Sequence, residues 1–267
     1  MLSDYDRIAA AIQFRDGTAA APLACAALAD HVGLSEVDLQ RLFQRWSGVS
    51  PQRFFGGLTL SHARQCLTRS HDVVLAALRA PDRAGGIEAA SLAERRPGGI
   101  TIRWGIAASP YGPVGMGIAG RRVCWLDFLP PSAAADDAVQ RLAQTWPHAR
   151  LEHHPEAAAA KCARVFAGER PPLLLGGTIF QRQVWRLLVR IPPGTVTTYG
   201  AIAAALERPG AGRAVGSAVG RNSIGYLVPC HRVIRQSGEL ASFRWGIVRK
   251  KALIGHEAAQ RAVPSST

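Results

Sequence analysis

The sequence predicts an α+β chain of several domains. A helical unit with a helix-turn-helix comes first, then a small α/β subdomain, then a mainly helical subdomain carrying a second helix-turn-helix of a different kind. Three observations predict this. Apolar residues before residue 70 recur at helical spacing around a glycine turn. Between residues 100 and 129 short strand-like runs are broken by Gly and Pro, and amphipathic helical patterns follow. Beyond residue 178 the texture becomes helices of very small residues. The length, 267 residues with 48% apolar, has room for about two domains of ordinary size and a proper core.

The boundaries that follow are 1–70 for the first helix-turn-helix unit, 71–97 for a linker or a degenerate second such unit, 98–175 for the α/β subdomain, 176–260 for the second helical subdomain and 261–267 for a tail. In the first unit, Leu23, Ala27, Leu28 and Val32 fall on one helical face, Gly33 supplies the turn, and Ser35 is suited to cap the next helix. Leu39, Leu42, Phe43 and Trp46 continue the apolar stripe, and Ser50-Pro51 starts a third helix with proline at its first position. Arg41, Arg45 and Arg53 are left on the outer side. That spacing offers the second helix to a major groove. The residues "LA…VGLS…LQRLF…GVSP…F…L…A" resemble the DNA-binding domain of AraC-type regulators. That resemblance implies DNA contact by Arg41 and Arg45, and promoter DNA as a partner. The stretch after Leu67 is too short for the second such unit that those regulators carry. Further on, "DDAVQRLAQTWPHA" and "AAAAKCARVFAG" read as helices.

Lys and Arg number 32 against 19 Asp and Glu, a formal charge of +13, so a polyanion is the expected partner, with DNA or RNA ahead of a membrane. No apolar run reaches spanning length and the N-terminus lacks a secretory pattern, so a cytoplasmic location is expected. The five cysteines, Cys25, Cys66, Cys124, Cys162 and Cys230, are scattered and contain no C-x-x-C pair. Neither a disulfide framework nor a metal site is expected from them, and no cofactor is implied.

The chemistry concentrates in "LVPCHRVIRQSGEL", residues 227–240, where a thiol stands between proline and histidine inside an apolar run. A thiol is a strong nucleophile only as thiolate, which a neighbouring base promotes. Adjacent side chains on an extended strand point opposite ways, so Cys230 and His231 would cooperate through a water or across a turn. The blocks "FQ..VW", "IP.GTVTTYG.IA", "RAVG.A…N", "PCHRVI", "G.L…RWG" and "K..LI..E" at this spacing resemble the O6-alkylguanine-DNA alkyltransferases. With the helix-turn-helix in front, the layout resembles the Ada-type repair and response proteins.

The resemblance implies single-turnover transfer of a methyl group from guanine O6, or thymine O4, in duplex DNA to Cys230. His231 would be the base, acting through a water, and Glu257 its orienter. Tyr199 would stabilise the departing guanine, Asn222 would be the hinge of the recognition helix, and Arg213 would fill the stack left by a flipped base. Val219, Val233, Phe243 and Arg244 would line the pocket; Thr198, Ala214 and Gly216 would join Arg213 at the DNA. Either Thr197 or Thr198 would cap the helix after them. A monomer is expected. The alternative is a non-enzymatic lesion sensor or an Ada-like regulator of transcription. Three positions depart from the pattern: Ser223 where proline is usual, and Ser242 and Phe243 where glycine and tyrosine are usual. No block requires residues before Gly98, so the N-terminal unit is expected to be separable.

Overall fold

The computed structural model describes residues 2–18, 23–80, 86–91 and 93–261. Contacts divide the chain into two compact units: Met1–Ala77 with Ile191–Ala201 and His231–Thr267, and Leu78–Arg190 with Ile202–Cys230. This partition differs from the sequence-derived boundaries, because it joins the N-terminal helices to the last helix of the chain.

The chain opens with α1 (Asp4–Gly17), where Ser3 and Asp6 cap each other's backbone. The helix-turn-helix follows as α2 (Cys25–His31) and α3 (Glu36–Ser47), with Gly33 at φ 68° in the turn. Ser35 caps α3 by accepting from the Asp38 N–H, and Ser50 caps α4 (Pro51–Gly56) with proline at its first turn, as expected. Leu28, Leu39, Leu42, Phe43 and Phe54 form the core; Ala27, expected on the inner face, is exposed, and Ala29 takes its place. Next come α5 (Leu60–Arg69) and α6 (His71–Arg79).

The second unit is built on a mixed sheet. Its strands are β1 (Ile87–Ala89), β2 (Thr101–Ala107), β3 (Val114–Ala119), β4 (Arg122–Phe128), β5 (Arg150–His153) and β6 (Leu173–Leu175), in the order β1-β6-β4-β3-β2-β5. The helices α7 (Ala135–Thr145) and α8 (Pro155–Phe166) fall where the amphipathic patterns placed them. Residues 71–97, read as a linker or remnant, instead carry α6 and the edge strand β1, which pairs in parallel with β6. The core holds Ile102, Trp104, Trp125, Leu142 and Trp146. Gly115 makes room for one of these rings: a Cβ there would lie 2.1 Å from Trp125.

After α9 (Ile179–Arg190) come β7 (Thr197–Thr198), α10 (Tyr199–Ala205), α11 (Gly212–Gly220), a 3₁₀ turn over Cys230–Arg232, β8 (Val233–Ile234) and α12 (Ile247–Arg261). Strands β7 and β8 pair in parallel, Thr197 opposite Val233. In the first unit α12 packs on α1, α3 and α4. Among the described residues no helix is long and apolar enough to cross a membrane.

Candidate active site

Within the second unit, α11 is held against α9 by Trp185, whose indole N–H donates to the Ala218 carbonyl at 2.9 Å. The loop that leaves α11 is organised by Asn222, which is 1% exposed. Its Nδ2 donates to Val228 O at 2.8 Å and to Cys230 Sγ at 3.2 Å, while its Oδ1 accepts from the Ile224 N–H at 3.0 Å. One amide therefore sets the loop and also donates to the thiol. The loop contains Tyr226 at φ 64°, a conformation that costs a non-glycine residue energy, held by its ring against Phe166 at 4.6 Å. Ser223, where proline is usual, accepts from the Leu126 N–H at 3.0 Å, and Gly225 donates to Leu126 O at 2.7 Å. Strand β4 thus holds the loop on both sides of Ile224. Cys230 itself is 3% exposed.

Within the first unit, the residue after the thiol is fully buried. His231 Nε2 lies 2.9 Å from Glu257 Oε1, and His231 Nδ1 is buried without a hydrogen-bond partner. An ionised carboxylate can only accept, so Nε2 carries the proton and Nδ1 keeps a free lone pair. Burial holds the imidazole below its ordinary pKa, against the opposing pull of Glu257, and Arg232 and Lys250 push the same way as burial. Burial works against ionisation of Glu257, but His231 and Arg232 outweigh it and hold the carboxyl far below the usual range. Arg232 Nε donates to Glu257 Oε2 at 2.9 Å and its other guanidinium arm to Oε1 at 2.6 Å, and Arg232 also donates to the Ile191 carbonyl. The Gly194 N–H completes the set at 3.0 Å from Oε2. Lys250, 1% exposed, spends its ammonium on Val233 O at 2.7 Å and Ala241 O at 3.3 Å. Arg232 and Lys250 went unassigned in the sequence, although both lie in quoted blocks: the arginine follows the histidine, and the lysine opens "K..LI..E".

The structure therefore pairs Cys230 with Asn222 and His231 with Glu257, and Cys230 and His231 are consecutive in a 3₁₀ turn rather than on a strand. Tyr199, half-buried, opens α10 directly after β7. Arg213 and Ala214 are exposed on α11, Gly216 is half-buried beside them, and Val219 is buried. Two expectations change, those for Val233 and Thr198. Val233 has no exposed surface and belongs to the β7–β8 core rather than to an open pocket wall. Thr198, expected at the DNA, is buried, and its hydroxyl caps α10 by accepting from the Ala201 N–H at 3.1 Å. Arg45 pairs with Asp4 at 2.8 Å, whereas Arg41 stays largely exposed, 3.4 Å from Asp38. Phe243 lies against Lys250 and Trp245, with Arg244 over the Trp245 ring.

The remaining thiols are kept protonated. Burial pushes Cys162 up to about 11 and Cys124 higher still, and it also raises Cys25 and Cys66. Cys162 donates to Ala108 O at 3.2 Å, Cys25 accepts from Gln52 at 3.0 Å, and Cys66 lies 3.2 Å from His62. No cluster of three or more potential metal ligands occurs among the described residues.

Residues 179–259 match the model of the family described as 6-O-methylguanine DNA methyltransferase, DNA binding domain. The chain is 31% identical over 254 residues to the regulatory protein ada of Salmonella typhimurium, covering 89% of this chain and 71% of that one. It is 30% identical over 256 residues to the bifunctional transcriptional activator/DNA repair enzyme Ada of Escherichia coli, with the same coverage. It is 37% identical over 163 residues to a methylated-DNA–protein-cysteine methyltransferase of Shigella flexneri, covering 56% of this chain and 92% of that one. With its paired thiol and asparagine, its histidine and carboxylate, and these relatives, the chain belongs to the Ada-like family of methylated-DNA–protein-cysteine methyltransferases.

Proposed function

We propose that the protein repairs alkylated duplex DNA, in the cytoplasm, by accepting the alkyl group of O6-alkylguanine onto Cys230 once per molecule. The observation that carries this reading is His231, whose Nε2 proton is committed to Glu257 while Nδ1 stays open, in the residue directly after a buried thiol. In the step, the Cys230 proton passes through a water to His231 Nδ1. The thiolate attacks the alkyl carbon, the S–C bond forms, and the C–O6 bond breaks with its electron pair moving to O6. The guanine anion takes up one proton from water, His231 gives the proton it accepted back to water and is neutral again, and the Tyr199 hydroxyl stabilises the developing charge. Atoms and charge balance without a cofactor, and the thioether is not reversed. Asn222 donates to sulfur throughout the approach and favours its charged form. The target base must leave the stack to be reached, and Arg213, exposed on α11, fills the gap.

The test is intact mass after incubation with an O6-methylguanine duplex, followed by peptide mapping. A gain of one methyl on Cys230 supports the reading; an unchanged mass with retained duplex binding would make the protein a lesion sensor. A second reading, promoter binding by the N-terminal helices, is favoured by Arg41, exposed on α3, the second helix of the helix-turn-helix. Footprinting on the protein's own upstream DNA, with wild type and Arg41→Ala, tests it.

A further inference from the structure

Glu257 holds His231, Arg232 and Gly194 together, so the placement of α12 sets the base. The residues on either side of Glu257 are gripped by the N-terminal helices. Gly255 has no side chain because the Phe54 ring occupies the space: a Cβ there would lie 2.5 Å from Phe54 Cε2. The His256 ring packs on Trp46 with centroids 4.9 Å apart. Ala258 sits beside Gly57, where a Cβ would come 3.5 Å from its own. By contrast, the face of α12 through Ile247, Lys251, Ile254 and Ala258 borders a cavity of 310 Å³. Packing is sparse on that side, so near Glu257 the Phe54 and Trp46 rings share the restraint of the helix with Arg261, which donates to Ser70 Oγ and to the Gly194 carbonyl, each at 3.3 Å. Phe54 is itself wedged between Phe43, Trp46 and Phe55 at ring distances of 5.3, 5.9 and 5.4 Å.

We propose that Phe54 and Trp46 of the N-terminal helical unit are positioning residues for alkyl transfer, fixing the helix that presents Glu257 to His231. The inference rests on the role given to Glu257 above. It assigns part of the repair machinery to a segment otherwise suited only to reading DNA. A shift of about an ångström at a hydrogen-bonded carboxylate is enough to change a rate substantially.

The test uses the full chain and free O6-benzylguanine, so that DNA binding by the N-terminal helices plays no part. Rates of Cys230 alkylation against pH are measured for wild type, Glu257→Gln, Gly255→Ala, Phe54→Leu, the double variant Gly255→Ala/Phe54→Leu, and the exposed control Val37→Ala, with circular dichroism on each. Gly255→Ala pushes against the Phe54 ring; it is expected to slow alkylation about tenfold and to move the acid limb in the same direction as Glu257→Gln. The double variant removes ring atoms facing the new methyl, and recovery of the wild-type rate and profile is expected. Val37→Ala is expected to behave as wild type. A folded Gly255→Ala protein with wild-type rate and acid limb overturns the proposal while leaving Glu257 its role. A Glu257→Gln protein indistinguishable from wild type overturns both. If Gly255→Ala does not fold, Phe54→Leu alone decides by the same two readouts.

Discussion

His231 is suited to act as a base because it is buried and its one hydrogen bond leaves the second nitrogen open. Since burial lowers its pKa, the neutral form persists into mildly acid solution. Alkylation of the wild-type protein by a free O6-alkylguanine is therefore expected to stay constant down to about pH 6.5 and to fall only below it. Glu257→Gln removes the one neighbour that raises the imidazole pKa, so the rate should drop about 10- to 100-fold and the acid limb should move to lower pH. A stopped-flow pH series checks both. The same shifts act on folding. His231 and His256 have lowered folded pKa values, so the unfolded chain binds protons first. Their contribution is fully present above about pH 6.5 and is lost as pH falls through it; that of Glu257, also lowered, is lost below about pH 4.3. Melting temperature should decline in those two stages. At this scale the family resemblance singled out Cys230, His231, Glu257 and Asn222, and the structure places Asn222 against Cys230 and Glu257 against His231. The sequence did not identify Arg232 or Lys250, because an arginine or lysine in a sequence looks like surface until its partners are known, and here these are a distant carboxylate and backbone carbonyls.

Helix α11 shows what an element adds. Its nine residues, GRAVGSAVG, put Val215, Ala218 and Val219 inward and leave Arg213 as the charged group on the outside. Such a helix can approach a duplex closely but has few side chains for reading bases, which suits a lesion that occurs in any sequence. Arg213→Ala is expected to slow transfer from a fully paired duplex by at least about tenfold while leaving the free base unaffected, since only the duplex requires flipping. Equal losses on both would place Arg213 in the pocket. Elements with strong periodicity, such as α3, α7 and α8, were legible because one face of each is buried. The stretch 71–97 was not: α6 and β1 are short, and β1 exists only because β6, 86 residues later at matched positions, pairs with it.

Over the whole molecule, a charge of +13 predicts duplex binding that weakens steeply with salt, by a log–log slope of about 0.9 per phosphate neutralised. Titrations between low and physiological salt measure it, and a flat response would leave the surplus charge without a role. The packing of α12 and β6 argues against the separability expected from the sequence. Every motif residue lies beyond Gly98, but a chain starting there lacks the partners of Gly255 and His256 and the strand beside β6. Such a fragment is expected to melt lower than the full chain and to lose most of its transfer activity. The sequence could not reveal this, because motif spacing reports which residues do chemistry and says little about which distant helices hold them.

The raised pKa values of the four other cysteines bear on how the protein survives among the reagents whose damage it would repair. Electrophiles and peroxides consume thiolates, and a molecule that acts once has no second chance if its sulfur is spent on them. With Cys124 and Cys162 protonated and enclosed, Cys25 and Cys66 raised as well, and Cys230 only 3% exposed, the chain offers stray electrophiles little to react with. The four other thiols are thereby poor competitors of Cys230 for an electrophile.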